Sequence, residues 1–223
     1  MEVELKYAIA DEATADRIWE DEWLAGMAEP QTRSCERFHG AYYDTADRLL
    51  LQNKIAFRVR QEGHFIVAAL KWDGDSEGAL HKREELNVTI GSVPEDPEGG
   101  EAGFGHEGLP EDVDLKCFEE SDIGARVIAL TEGKKLQKLM ETDVSRRHMR
   151  VDTGSGIHEV SIDTGLLKAG GRSSPILEIE IEQFQGEEED LLKTGKVLEE
   201  KYDLTPEHRS KFARGLTLLG IEK

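Results

Sequence analysis

The residues best suited to chemistry in this chain are charged side chains set two positions apart. Glu2, Glu4 and Lys6 alternate at the start, Arg58 and Arg60 in I-A-F-R-V-R-Q-E, and Glu178, Glu180 and Glu182 in P-I-L-E-I-E-I-E-Q-F. Such spacing puts the charges on one face of a β-strand and leaves Val3, Leu5, Phe57, Val59, Ile179 and Ile181 on the other. Carboxylates cluster on the first strand and on 178–182; Arg and Lys cluster on segments 55–62, 65–72 and 80–90. Hard divalent cations take carboxylate oxygens, whereas phosphate oxygens take guanidinium and ammonium donors. A cavity carrying both kinds of group suits a polyphosphate chain together with Mg2+ or Mn2+.

Strands are needed to hold these side chains, and the patterning supplies them. Residues 2–9 read as a strand, and 12–26 as a helix whose apolar stripe is Ile18, Trp19, Trp23 and Leu24, the tryptophans serving as core. R-S-C-E-R-F-H-G-A-Y-Y-D-T reads as a strand ending at a turn over 44–47. Segments 55–62 and F-I-V-A-A-L-K-W form a hairpin through Gly63, and in the strand over 80–90 Arg83, Glu85 and Asn87 share a face. The Gly-, Pro- and Glu-rich stretch 92–112 is a surface excursion. A helix over 122–139, interrupted at Gly133, precedes strands over 141–152 and 157–163. A turn at Gly170 and Gly171 leads into the strand bearing Glu178, Glu180 and Glu182, and helices over 187–202 and 206–219 end the chain.

Two arrangements fit such strands. Charged faces are ordinarily solvated, and any single strand here reads that way. The recurrence of complementary charges over at least five strands favours the other arrangement, in which charged faces turn inward and line a wet cavity while apolar faces pack against helices. The expected fold class is α+β: a closed eight-stranded antiparallel β-barrel (a tunnel) with helices packed outside, forming a single domain over 1–223.

Composition bounds the partners. The chain has 28 Lys plus Arg against 47 Asp plus Glu, a formal net charge of −19, which repels nucleic acid and anionic membrane surfaces. A local basic pocket still admits a small anion, the more so with metal ions present. The two cysteines, Cys35 and Cys117, form no disulfide framework or zinc motif and read as reduced thiols of a cytoplasmic protein. No apolar run approaches a membrane span and the start reads as no signal peptide. The seven histidines show no metal-ligand spacing, and His39, His81 and His148 read as structural.

The charged segments also resemble a known family. Glu2-Val3-Glu4-Leu5-Lys6 matches the N-terminal ExExK signature of the CYTH superfamily, the triphosphate tunnel metalloenzymes. The resemblance continues through F-R-V-R at 57–60, A-A-L-K-W at 68–72, L-H-K-R-E-E at 80–85 and T-D-V-S-R at 142–146. It then runs through D-T-G-L-L-K-A-G at 163–170, E-I-E-I-E at 178–182 and S-K-F-A-R-G at 210–215. A lone ExExK is a weak signal; eight segments in order over nearly the whole chain are a strong one. The pattern is most similar to bacterial CYTH inorganic triphosphatases without the helical CHAD domain that often follows.

The resemblance implies the following roles. Glu2 and Glu4 ligate a divalent metal with Glu180, while Glu178, Glu182 and Asp163 belong to the same carboxylate cluster and hold a second metal or orient the attacking water. Lys6, Arg58, Arg60, Lys71, Arg83, Arg146 and Lys211 grip phosphate oxygens. Glu4, Lys6, Arg58, Asp163, Glu180 and Glu182 are the candidate catalytic groups. Arg147 is a rival to Arg146, Arg214 a weaker candidate, Glu85 an anchor for a neighbouring cation, and Lys168 either a rim lysine or an exposed turn residue. The expected reaction is metal-assisted hydrolysis of inorganic triphosphate to pyrophosphate and phosphate, with Mg2+ or Mn2+ as cofactor and a small-molecule triphosphate as partner. A CYTH-type adenylate cyclase and a thiamine, nucleoside or RNA triphosphatase are alternatives within the family, the acidic balance weighing against RNA. A non-catalytic polyphosphate- or nucleotide-binding module, and a structural barrel whose charges merely pair, are the alternatives of other classes.

Overall fold

The computed structural model describes residues 1–72, 74–93, 109, 110 and 112–221. Of the surface excursion expected over 92–112, residues 94–108 and 111 lie outside the described residues. Eleven strands join one antiparallel sheet. In chain order these are β1 (Glu2–Ala8), β2 (Ser34–Thr45), β3 (Ile55–Glu62), β4 (Phe65–Trp72), β5 (Asp75–Glu77) and β6 (Leu80–Arg83). They continue with β7 (Glu85–Ser92), β8 (Leu136–Asp152), β9 (Ile157–Ala169), β10 (Arg172–Gln185) and β11 (Thr205–Pro206). The helices are α1 (Glu12–Trp19), α2 (Glu22–Met27), α3 (Leu49–Gln52), α4 (Asp122–Leu130), α5 (Glu188–Tyr202) and α6 (Lys211–Leu218).

The hydrogen-bonded order is β5-β6-β1-β10-β9-β8-β2-β3-β4-β7, with β11 also on β1. The ladder is therefore not the uninterrupted eight-stranded ring that the sequence suggested; it is a longer run whose end strands are β5 and β7. The covalent chain links β7, at one end, to β6, the strand next to the other end. Only Glu84 separates β6 from β7, so the single strand expected over 80–90 is two, which pair first with β1 and then with β4. The Trp72 N–H donates to the Glu84 carbonyl at 3.1 Å, and Lys71 reaches Glu2 at 3.4 Å, bridging the seam between β4 and β1.

Local chemistry explains where the helices and strands depart from the pattern. The expected helix over 12–26 is two helices, because the Asp21 carboxylate accepts the Trp23 and Leu24 N–H groups and caps α2. The expected helix over 122–139 ends at Leu130: Glu132 and Gly133 sit at φ 53° and 70°, left-handed backbone that a helix interior does not use, and β8 starts at Leu136. Strands β8, β9 and β10 are longer than their alternating cores, and β9 and β10 meet through Gly170 and Gly171, both left-handed as a two-residue hairpin requires. The last helix begins at Lys211, capped by Ser210, rather than at Pro206, which β11 holds against β1.

The outward sheet face carries the apolar residues. Leu5, Tyr7, Ile162, Ile179 and Ile181 pack with Ile18 and Leu24 of α1 and α2 and with Leu191 and Leu198 of α5. Phe57, Val59, Ala68 and Leu70 pack with Phe118 and with Val127 of α4. On the other face, Met140, Leu167 and Ile176, which share it with Arg146, Asp163 and Glu178, pack with Phe212 and Leu216 of α6 beside the charged groups. Trp19 and Trp23 are half-buried against the first cluster, and the Arg33 guanidinium lies 4.3 Å from the Trp19 ring centroid. Cys35 and Cys117 are free thiols. Among the described residues, no helix is long and apolar enough to cross a membrane.

Candidate active site

The inward sheet face bounds a cavity of about 400 Å³, into which Glu2, Glu4, Lys6, Arg58, Arg60 and Lys71 project. Glu62, Arg83, Glu85, Arg146, Asp163, Glu180, Glu182 and Lys211 add to its charged lining. Ladder register explains the convergence. Lys6 lies opposite Glu180 and Glu4 opposite Glu182 across β1 and β10; Asp163 lies opposite both Glu178 on β10 and Arg146 on β8. Directly opposed residues share a sheet face, so period-two spacing on each strand becomes one charged wall.

The wall has two zones. In the first, cations neutralise carboxylates almost completely. Arg146 donates to Asp163 through Nε and Nη2, both at 2.7 Å, and to Glu180 at 2.5 Å. The Lys211 ammonium lies 2.7 Å from Asp163, 2.5 Å from Glu178 and 3.0 Å from Glu180. Burial opposes ionisation of Asp163 and Glu180, but Arg146 and Lys211, with Lys6 at Glu180, outweigh it and hold both carboxyls below their ordinary range. Asp163, Glu178 and Glu180 bring carboxylate oxygens within 4.8 Å of one another, spacing that a metal ion could use. Lys211 already stands among all three, so this trio is a cation-filled cluster. Glu178 is fully buried behind the cavity wall, also paired with Arg214 at 2.8 Å, and does not line the cavity.

The second zone runs from β1 across the seam to β4 and β7. Glu2 accepts from Arg83 at 2.5 Å and from Lys71 at 3.4 Å; Glu4 accepts from Arg83 at 2.8 Å and pairs with Lys6 at 3.3 Å. Glu85 binds Lys71 at 2.6 Å and approaches Arg58 at 3.9 Å, the anchoring role its position suggested. Burial would raise the Glu85 carboxyl, but Lys71 and Arg58 bring it down to about 2. Arg60 is pulled the other way: burial, then the Arg58 charge and that of Arg146, bring its guanidinium down to about 10. Lys71 is likewise lowered by burial, Arg83 and Arg58. Arg60 and Lys71 thus stand among other cations although each is also paired, Arg60 with Glu62 at 2.5 Å and Lys71 with Glu85 at 2.6 Å.

Glu182 is the exception among the carboxylates. It forms no ion pair among the described residues. Burial, and then the charges of Glu2, Glu4 and Glu159, push its carboxyl up to about 7. A carboxylate that resists ionisation because other carboxylates surround it is short of a cation, and an oxygen-ligated divalent ion supplies one. The donor set at Glu182, Glu4 and Glu2 is of the oxygen kind that a divalent ion takes, with Glu4 directly opposite Glu182 across the β1–β10 ladder; among the described residues only Asp163, Glu178 and Glu180 bring carboxylate oxygens within 4.8 Å of one another.

Most residues singled out from the sequence thus come together. Arg146 faces inward while Arg147 points outward to Asp16 at 2.8 Å, as their adjacency in a strand demands. Lys168 is exposed, opposite Glu141 on β8, and takes no place in the cavity lining. His81 bonds the Glu207 carbonyl at 2.9 Å, and His148 lies between Glu36 and Glu159, each at 3.5 Å. Sequence reasoning missed Glu62, Glu159, Tyr42, Thr142 and Ser210. Glu62 shares parity with Arg58 and Arg60, whose shared partner it is, and Glu159 with Asp163, so parity alone could have found these two. Tyr42, Thr142 and Ser210 carry no such signal; register and the start of α6 put them on the cavity.

Comparison with known proteins follows this geometry. The model of the family described as CYTH domain matches residues 1–216. A Haemophilus influenzae protein named inorganic triphosphatase is 29% identical over 177 residues, which are 79% of this chain and 44% of that protein, so the chain spans less than half of that relative's length. Among solved structures, a proposed adenylyl cyclase from Hippeastrum, described as having a dominant triphosphatase activity, superposes with TM-score 0.69 at 19% identity, covering 100% of this chain and 98% of that one. A proposed adenylate cyclase from Bacillus halodurans gives 0.53 at 16% identity over 94% of each chain. A Pyrococcus horikoshii protein gives 0.53 at 19% identity over 99% of each. At these identities the structural likenesses establish the fold.

Proposed function

The chain belongs to the CYTH domain family, and from that premise we propose that it is a metal-dependent triphosphatase that hydrolyses inorganic triphosphate inside its charged cavity. One observation carries this reading: buried cations and carboxylates meet in one cavity, where Arg58, Arg60 and Lys71 crowd one another on one side and Glu2, Glu4 and Glu182 on the other. A polyanion and a divalent cation bound together satisfy both. The relative named inorganic triphosphatase supports the choice of substrate.

In this reading Glu2, Glu4 and Glu182 hold Mg2+ or Mn2+, which supplies Lewis-acid polarisation of a phosphoryl oxygen. Arg58, Arg60, Lys71 and Arg83 bind the triphosphate oxygens from β3, β4 and β6, and Arg146, Lys6 and Lys211 bind from the other wall. Their positive charge stabilises the negative charge that spreads over the phosphoryl oxygens in the transition state. Asp163 and Glu180 keep Arg146 and Lys211 in place, so these donors need no reorganisation when the reaction occurs. Water adds to the terminal phosphorus in line as the bridging P–O bond breaks and its electron pair leaves on pyrophosphate, and a cavity carboxylate accepts the proton from the water. The curled sheet, closed at Glu84, acts as a tunnel around the phosphates, and residues 1–223 act as one unit. The two free thiols suit a cytoplasmic location.

The test is a substrate panel. The protein is incubated with Mg2+ or Mn2+ and, separately, inorganic triphosphate, ATP and thiamine triphosphate, and phosphate, pyrophosphate and cyclic AMP are recorded. Phosphate release from inorganic triphosphate that requires the metal is the expected result. Cyclic AMP from ATP as the main product would replace hydrolysis by cyclisation, and tight binding without turnover would leave only a binding module.

A further inference from the structure

Phe38 on β2 lines the charged cavity and is only 8% exposed. Its ring meets two cations from different strands. The guanidinium carbon of Arg60 on β3 stands 4.3 Å from the ring centroid and that of Arg146 on β8 stands 5.5 Å from it, both within reach of a cation–π contact. Register brings them there. Strand β2 runs between β3 and β8, and Phe38 lies opposite Glu62 on the one and Val144 on the other. Arg60 and Arg146 are each two positions along from those partners, so both are diagonal neighbours of Phe38 on the inward face.

The next inward position of β2 fits the same purpose. Gly40 lies directly opposite Arg60, and a side chain there would meet Thr142 Oγ1 at 3.0 Å and Arg60 Cγ and Cβ at 3.4 and 3.5 Å. Its absence leaves the Arg60 stem room against β2, while the Arg60 Nε donates to Glu62 at 2.7 Å.

Filling space is the ordinary work of a buried phenylalanine, and the ring does pack with Tyr42, Val144 and Phe212. Packing alone does not account for two guanidinium groups at its ring. Arg146 has Asp163 and Glu180 as carboxylate partners, whereas Arg60 has Glu62 among the described residues. Burial and the charges of Arg58 and Arg146 work against the charge on Arg60. The negative face of an aromatic ring attracts cations without neutralising them, as a further carboxylate would. An aliphatic side chain of similar volume fills the space but offers no such attraction.

We propose that Phe38 is a positioning residue, whose ring holds the Arg60 and Arg146 guanidinium groups over one spot of the cavity with their charge available to phosphate oxygens. The inference rests on the triphosphatase reading for the ligand; the placement of the two arginines stands apart from it.

The experiment replaces Phe38 in the full chain by Tyr, by Leu and by mono-, di- and trifluorophenylalanine. Fluorination draws negative charge from the ring face while nearly keeping its shape. Calorimetry with inorganic triphosphate in chelator reads binding without turnover. The dissociation constant is expected to rise stepwise with fluorination to about fivefold, to rise about tenfold in Phe38→Leu and to stay within about twofold in Phe38→Tyr. Should Phe38→Leu not fold, the fluorinated series carries the test by itself. A dissociation constant indifferent to fluorination would overturn the proposal, since a ring that only fills space is indifferent to its electrons. NMR of the arginine Nε–H groups reads the ligand-free chain and separates this inference from the triphosphatase reading. The Arg60 signal is expected to move downfield in Phe38→Leu as it leaves the ring current, and to keep its place in Phe38→Tyr; an unmoved signal in Phe38→Leu overturns the positioning role. If triphosphate is neither bound nor hydrolysed, the triphosphatase reading fails, whereas Arg60 and Arg146 signals that follow fluorination uphold the role of Phe38.

Discussion

Glu4 and Glu182 face each other across the β1–β10 ladder, yet only Glu4 is ion-paired, to Lys6 at 3.3 Å and to Arg83 at 2.8 Å. Arg83 is spent on Glu2 and Glu4, Lys6 on Glu4 and Glu180. The asymmetry leaves Glu182 as a carboxyl whose ionisation burial and its carboxylate neighbours oppose, and the first two predictions below follow from it.

Metal affinity should rise with pH. The Glu182 carboxyl sits at about 7 in the metal-free fold, so below that pH a metal must displace a proton, and above it the carboxylate is ready. Calorimetry with Mn2+ at three pH values between 6 and 8 should show the dissociation constant falling as pH rises and levelling above about 7. Glu182→Gln should weaken binding and flatten the curve; an unchanged slope in the variant would assign the proton elsewhere.

The same carboxyl makes the metal-free protein pH-sensitive. Its folded pKa is raised above the ordinary 4.5, so the neutral form favours the fold, and that contribution is present at low pH and lost as pH rises from about 4.5 through about 7. The loss is on the order of 3 kcal/mol at most. In chelator, the difference in denaturation midpoint between wild type and Glu182→Gln should widen over that window in favour of the variant. A constant difference would mean that repulsion from Glu2, Glu4 and Glu159 is relieved in some other way.

Glu4→Gln separates the functional classes. In a metal-dependent enzyme it removes a ligand, and turnover should fall by at least about a hundredfold while triphosphate binding in chelator persists. A purely structural set of ion pairs would leave rates nearly unchanged, so a loss under threefold counts against the enzyme.

Arg146 and Arg147 are adjacent and chemically identical, and should behave differently. Removing Arg146 leaves Asp163 and Glu180 buried without one of their main partners, which should cost about 3–5 kcal/mol as well as phosphate binding. Arg147→Ala breaks an outward pair with an exposed Asp16 and should cost under about 1 kcal/mol with activity intact. Urea denaturation and the phosphate-release assay check both; equal effects would contradict the inward assignment.

Ligand and metal should stabilise the fold only together. Inorganic triphosphate with Mg2+ at about a hundred times Kd should add roughly 2.7 kcal/mol. Either component alone should add less, because each leaves the other's charge unmet. Differential scanning fluorimetry over the four combinations reads this directly, and an unchanged Tm with both present would rule out binding in the cavity.

Much of this site was legible in the sequence because strand geometry is simple. Period two means that Glu2, Glu4 and Lys6, or Glu178, Glu180 and Glu182, need only a strand to share a face, and the alternation of Ile and Glu specifies that strand. Elements were harder at their ends. Asp21 ends one helix by capping the next, and Glu132 with Gly133 turns helix into strand, both local events overlaid on a continuing apolar pattern.

What the sequence alone determined was the chemical inventory and the face on which each charge sits, because both are properties of a residue and its immediate neighbours. Tertiary structure alone decided which charges cancel. Lys211 lies far along the chain from Asp163, and α6 carries its ammonium into the midst of Asp163, Glu178 and Glu180, filling the cluster that ligand type alone would assign to a metal. Register places Glu182 against Glu4 and beside Glu159, without an ion pair among the described residues. Electrostatic energy depends on distances through space, and those exist only once the strands are in register.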